Sequence, residues 1–278
     1  MSEEEIHLSS LEESQKILKD KFRNVANKFH KEVLFPEIPV ENLTEKEIEQ
    51  YENKQEILFE LRDAFFYRQD SLIFHFNLLN EIQDNTKSKF NLDLSSRGKD
   101  SLLKASAFQQ EFIFDDILFN TMSLFDYFGN FVGYIFFGEE GKKYRWKRLL
   151  NHCKKPKKEE IGKERKRLIN SKIRSQLQEN HIYWVQHLNS HRSEIIHYKV
   201  DEINGELSYS IPIQGKSLPK EDSQIKVFVP EDFAQKFNLG DTEELSLIQA
   251  TAWLMSKSSK IIVSMLEALE EDIANFEL

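Results

Sequence analysis

One cysteine, six prolines and nine glycines are spread over 278 residues. The lone thiol, Cys153, excludes an intrachain disulfide, and such sparing use fits a reducing compartment. So few helix breakers argue against a loop-rich or all-β chain and for long helices. No apolar run is long enough for a membrane span. The most apolar stretch, LFDYFGNFVGYIFFG (124–138), is too short and carries Asp126. The acidic opening MSEEEIHLSSLEES has no apolar segment and does not read as a secretory signal. A cytoplasmic protein without a membrane partner is expected. Neither G-x-G-x-x-G nor a P-loop occurs, which excludes those two modes of phosphate binding.

Charged residues make up 31% of the chain and hydrophobic ones 40%, a balance that supports a folded core rather than disorder. The net charge of −9 is uneven. Residues 141–174 hold 15 Lys or Arg against 3 Glu, a local +12, so the remainder carries −21. A basic segment within an acidic chain suits a phosphate backbone, and Lys154, Lys155, Lys157 and Lys158 are its candidate contacts. The same charges would also suit a solvated loop that balances an acidic bundle.

Periodicity predicts an all-α bundle. Residues 4–34 read as a charged helix stopped by Pro36 and Pro39. Thr44 caps the next, in which Ile48, Tyr51, Ile57, Leu61, Phe65, Leu72, Phe76 and Leu79 recur at helical spacing through one very long helix or two. A polar loop is expected at 85–100, a Phe-rich helix at 101–137 and a fourth helical stretch at 158–199. The period then becomes two in GELSYSIPI (205–213) and QIKVFV (224–229), which predicts a β-hairpin insertion. A last long helix follows an Asp241/Thr242 cap. The chain reads as a single helical domain, 1–278, with N-terminal helices in 1–99, a bundle core in 100–276 and the hairpin at 205–229.

The stretch HLNSHRSEIIHYKV (187–200) holds three of the eight histidines and one arginine. Two chemistries compete for it. Arg192 with His197 supplies a phosphate clamp and a group that exchanges protons near neutral pH, sufficient parts for cleaving RNA without metal. His187, His191 and Glu194, spaced by four and three, share a helix face that could form one edge of a metal site. His75, Asp115 and Asp116 are candidates to complete it. In the Phe-rich helix, Asp126 and Asn130 are polar residues that need partners if buried, and they are candidates to orient Arg192. Five residues turn an ideal helix by about 140°. Arg192 and His197 therefore converge only if the helix ends near Ile196 or a second chain completes the site. The Lys-rich surroundings of Cys153 favour its thiolate, but neighbouring His152 would not face it on a helix.

The motif RSEIIH (192–197), late in the penultimate long helix of an all-α chain, resembles that of the HEPN domain superfamily, with Ser193 fitting the polar position after the arginine. The resemblance covers about 100–276. It implies an up-and-down helical bundle that dimerises so that two motifs meet in a cleft. It implies a metal-independent endoribonuclease with Arg192 and His197 catalytic, Ser193, Asp126 and Asn130 supporting, and no cofactor. Other members of the superfamily are non-catalytic nucleotide-, RNA- or partner-binding modules, and a cognate antitoxin or nucleotidyltransferase is the kind of partner they imply. The hairpin and the N-terminal helices depart from a minimal HEPN domain.

Overall fold

The computed structural model describes residues 8–35, 43–90, 96–154, 162–193, 227, 229, 231–237 and 245–276. Its helices are α1 (Leu8–Phe29), α2 (Glu45–Phe90), α3 (Ser96–Phe137), α4 (Trp146–His152), α5 (Lys163–Asn170), α6 (Lys172–Asn180), α7 (Glu231–Phe237) and α8 (Leu247–Ala274). A π turn, His30–Leu34, extends α1, and a second, His181–Val185, carries α6 into a helical segment at 186–193. The fold is all-α. Among the described residues no helix is long and apolar enough to cross a membrane.

The long second helix is unbroken over 46 residues, about 69 Å. It contains neither glycine nor proline, and Thr44 and Glu47 cap its start reciprocally. Ile57, Leu61, Phe65, Leu72, Phe76 and Leu79 form its buried stripe. The loop expected at 85–100 is mostly helical: α2 continues to Phe90 and α3 begins at Ser96. Thr, Ser, Asn and Asp there are weak helix formers, and packing between the two long helices overrides their local preference. Arg68–Asn120, Thr86–Ser106 and Tyr134–Lys54 hydrogen bonds descend one helix as they ascend the other, so α2 and α3 form an antiparallel hairpin.

α1 lies antiparallel to α2, with Phe22 stacked on Phe65 and Gln15 bonded to Gln69. It runs parallel to α8, to which Gln15 and Lys21 reach at Ser259 and Glu270. One apolar core joins Leu11 near the start of the chain to Ile273 near its end.

The fourth stretch differs from one continuous helix. Ser171 is extended (φ −81°, ψ 158°) between α5 and α6. The freed N–H groups of Lys172 and Ile173 donate to the two carboxylate oxygens of Asp272 in α8, at 2.7 and 2.9 Å. A neighbouring helix thus caps α6 in place of a local side chain. The last helix likewise starts later than the Asp241/Thr242 cap implied. Ser246 and Gln249 make a complete capping box, which closes the first turn just where the buried run begins at Leu247. The expected hairpin lies outside the described residues except Val227 and Val229. Val229 N–H donates to Leu245 O (3.1 Å), and Val227 O accepts from Leu247 N–H (2.8 Å).

α3 ends at Gly138, whose φ of +60° suits a residue without Cβ. The chain then folds back as a 3₁₀ turn, Gly138–Lys143, onto the helix it has just left. The backbones of Gly133 and Gly141 touch. A Cβ on either would run into the carbonyl oxygen of the other, and one on Gly129 would lie 2.8 Å from Trp146 N. Gly133→Ala should therefore destabilise the protein by about 1–3 kcal/mol or more, because backbone cannot swing aside as a side chain does. Gly162→Ala, where the nearest atom is the Glu164 carboxylate at 3.3 Å, should cost less than about 1 kcal/mol, the loss of a glycine at the N-cap of α5. Urea unfolding of both variants decides it; equal effects would contradict the contact.

Candidate functional site

The fold-back sets Arg145, the residue before α4, against α3. On α3 the residues Phe119, Ser123, Asp126, Tyr127 and Asn130 follow steps of three and four and share one face. Arg68 of α2 and Arg192 of the 186–193 segment complete a cleft of about 160 Å³ lined by all eight side chains.

Its electrostatics are lopsided. Three guanidinium groups meet one carboxylate, Asp126. Among the described residues none of the three arginines makes an ion pair within 4.0 Å. Rings hold two of them: Arg192 Cζ is 4.6 Å from the centre of Phe119, and Arg68 Cζ is 5.4 Å from that of Tyr127. Stacking fixes the plane of a guanidinium and leaves its N–H edge available. Arg68 also donates to Asn120 Oδ1 at 3.2 Å, while its Nε is buried without a partner.

Asp126 Oδ1 accepts the N–H of Trp146 at 3.2 Å, at the open start of α4. Burial pushes the Asp126 carboxyl above the usual range, opposed by that hydrogen bond and by Arg145 and Arg192. Asn130 Nδ2 donates to Lys142 O at 2.7 Å, and its Oδ1 is buried with no partner. Ser123 Oγ donates to Phe119 O at 2.9 Å.

The structure thus places Arg192, Asp126 and Asn130 along one cleft. Ser193 instead donates back to Asn189 O. His197 lies outside the described residues, as do Glu194, Lys155, Lys157 and Lys158. Lys154 is exposed, and its carbonyl accepts from Arg165 Nη2. Arg68 and Arg145 were not singled out in the sequence. Arg145 sits in the basic run KKYRWKR, but nothing in the pattern around either arginine joins it to cleft residues on other elements.

The other described histidines have packing partners. His191 is buried, its ring 5.1 Å from Phe233, and His187 lies 6.1 Å from Phe237. Both thus face α7. His181 Nδ1 lies 3.3 Å from Trp146 Nε1 and accepts its hydrogen, and burial lowers the His181 pKa. On the α2–α3 hairpin, His75 Nε2 faces Asp116 at 3.8 Å. Among the described residues no group of three or more His, Cys, Asp or Glu is placed to hold a metal ion.

Cys153 corrects an expectation. Its side chain is fully buried, and burial pushes the thiol up to about 12 even though Arg174 and Arg165 pull it down. Desolvation outweighs the surrounding positive charge. In the native protein the thiol should resist a disulfide reagent at neutral pH and react fully once the chain is unfolded in urea. Immediate labelling of the folded chain would contradict this burial.

Asp126 gives a signed pH dependence. A carboxyl whose pKa is raised on folding favours the folded state below its unfolded pKa, and that contribution is lost as pH rises through the raised value. Asp126→Asn keeps an oxygen for the Trp146 N–H and removes the charge. Its stability relative to wild type should therefore increase from about pH 4 to about pH 7. Urea midpoints across that range measure it, and a constant difference would count against the burial argument.

No family model, curated protein or solved structure matches this chain.

Proposed function

We propose that the chain is a HEPN-like helical protein that acts on RNA at the three-arginine cleft, as a metal-independent endoribonuclease. The observation that carries this reading is the convergence of Arg68, Arg145 and Arg192 on one small polar cleft. Guanidinium groups offer planar, permanent donors that match phosphate oxygens, and they offset charge that builds on phosphorus. Arg192 is the arginine of the RSEIIH motif, so the motif and the cleft point to the same place.

In this reading the substrate supplies its own nucleophile. The 2′-hydroxyl loses its proton, its oxygen bonds to phosphorus, and the P–O5′ bond breaks as the departing oxygen takes a proton. The products are a 2′,3′-cyclic phosphate and a 5′-hydroxyl, with no water or metal consumed. His197, five residues beyond Arg192, is the proposed proton-transfer group. Arg192, Arg68 and Arg145 are the proposed charge stabilisers. Homodimerisation, as the resemblance implies, is part of the proposal, and the exposed Ile182 and Tyr183 are available to such an interface. Lys154, Lys155, Lys157 and Lys158 would hold flanking phosphates.

A non-catalytic RNA-binding module would use the same cleft without the proton-transfer step. Single-turnover cleavage of a labelled RNA in EDTA, beside a binding titration at two salt concentrations, separates the two. Wild type should cut. His197→Ala should lose roughly 10²-fold or more in rate with little change in affinity. Arg192→Ala should lose both rate and affinity. Charge reversal at the four lysines should weaken binding most at low salt and spare the chemical step. Wild type that binds but never cuts selects the binding module. Protein that neither binds nor cuts removes the nucleic-acid reading altogether.

A further inference from the structure

We propose that Asp126 makes the cleft selective for ribose, by accepting a hydrogen bond from a 2′-hydroxyl beside the phosphate held by the three arginines. The proposal rests on the RNA reading of this cleft and assigns a specificity-determining residue to it.

Donors and acceptors are divided unevenly between the two sides of the cleft. Arginine carries only donors, so Arg68, Arg145 and Arg192 are satisfied by the oxygens of a phosphodiester. The α3 side of the cleft offers mainly acceptors. Ser123 spends its hydroxyl hydrogen on Phe119 O, leaving lone pairs. Asn130 spends an amide hydrogen on Lys142 O, which fixes the amide orientation and leaves Oδ1 unpaired. Asp126 commits Oδ1 to Trp146 N–H, and Oδ2 has no hydrogen bond among the described residues. One wall can only donate; the other is rich in acceptors, with the Tyr127 hydroxyl able to act either way.

A bare phosphodiester suits the first wall and is repelled by Asp126 on the second. A ligand with an anion and a neighbouring hydroxyl donor suits both. In a nucleic acid, the backbone group that meets this description is the ribose 2′-hydroxyl, and DNA lacks it. Capping α4 does not account for the carboxylate, because one neutral oxygen would serve the Trp146 N–H equally well. Burial works against the charge, so a charged group here needs another use. The cleft volume of about 160 Å³ leaves room for a phosphate and a sugar edge, with the base outside.

The test uses the 278-residue chain carrying His197→Ala, so that RNA survives the titration. Anisotropy is measured with three labelled oligonucleotides of one sequence: all-ribose, all-deoxyribose and 2′-fluoro. The 2′-fluoro strand keeps a ribose-like pucker without the donor. The ribose strand should bind roughly 10- to 100-fold more tightly than either of the others, the size of one hydrogen bond to a charged group. Adding Asp126→Asn should bring the three within about threefold of one another. That convergence should come partly from tighter DNA binding, since the repulsive charge is gone. Asp126→Ala is the second variant, and thermal melts confirm that both are folded.

Equal binding of all three strands by the Asp126 protein, weakened by Arg192→Ala, would overturn ribose selectivity and leave the phosphate cleft standing. The same is true of a ribose preference that survives both Asp126 substitutions. A 2′-fluoro strand that binds like ribose would assign the preference to sugar shape and overturn the hydrogen bond. Binding of none of them would overturn this proposal and the RNA reading together.

Discussion

The contact between the backbones of α3 and the turn that follows it constrains much of what surrounds it. Glycines at 133 and 141 let two chain segments approach more closely than side chains allow. That approach returns residues 144–146 to the helix they left. Tyr144 and Trp146 are buried as a result, Trp146 edge-on to Phe125 and Tyr144 stacked on His152. The open N–H at the start of α4 meets Asp126, and the neighbouring Arg145 is set at the mouth of the cleft. A bulkier contact would separate the acceptor wall of the cleft from one of its donors. Packing of the most ordinary kind, small residue against backbone, therefore fixes the electrostatics of the site.

Buried polar groups set the register of the long helices. Gln69 donates to both the carbonyl and the side-chain oxygen of Gln15, which in turn donates to Ser259. Three helices are thereby pinned at one level. Farther along the hairpin, Thr86, Ser106 and Gln110 form a second group. An apolar seam between helices tolerates sliding by a turn. A buried amide whose partner has slid away is left unpaired, and that penalty makes one register much better than the next. Arg68 and the α3 face meet in the cleft because this register holds.

Several elements were legible from local pattern. The buried stripe of α2, its Thr44 cap and the apolar positions Ile173, Leu177, Trp184 and Leu188 follow directly from helical periodicity. Where the reading failed, a distant partner had replaced a local signal. Asp272 caps α6 from about one hundred residues away in sequence, so the break at Ser171 carries no capping side chain of its own. The loop expected at 85–100 was misjudged because polar residues facing solvent on a long hairpin look like a linker when read singly. Gly129 and Gly133, four apart on one helix, are a signal of close approach whose partner segment no local pattern identifies. The charges flanking Cys153 favour its thiolate, but depth in the core governs its chemistry.

By itself the sequence determined the all-α class and the chief helices, and it set Asp126 and Asn130 four apart on one helix, because these depend on composition and on repeats of three and four residues. It could not place Arg68 or Arg145 beside them. Those two come from another helix and from a fold-back, and no periodicity links residues 68, 126, 145 and 192. Only tertiary packing decided that the basic and acidic groups share one cleft, that His187 and His191 face aromatic rings on α7, and that Cys153 is sealed from solvent. The physical reason is the range of the forces involved. Helix formation is settled over a turn or two of chain, whereas burial and the field around a charge are set by whatever the folded chain brings within a few ångströms.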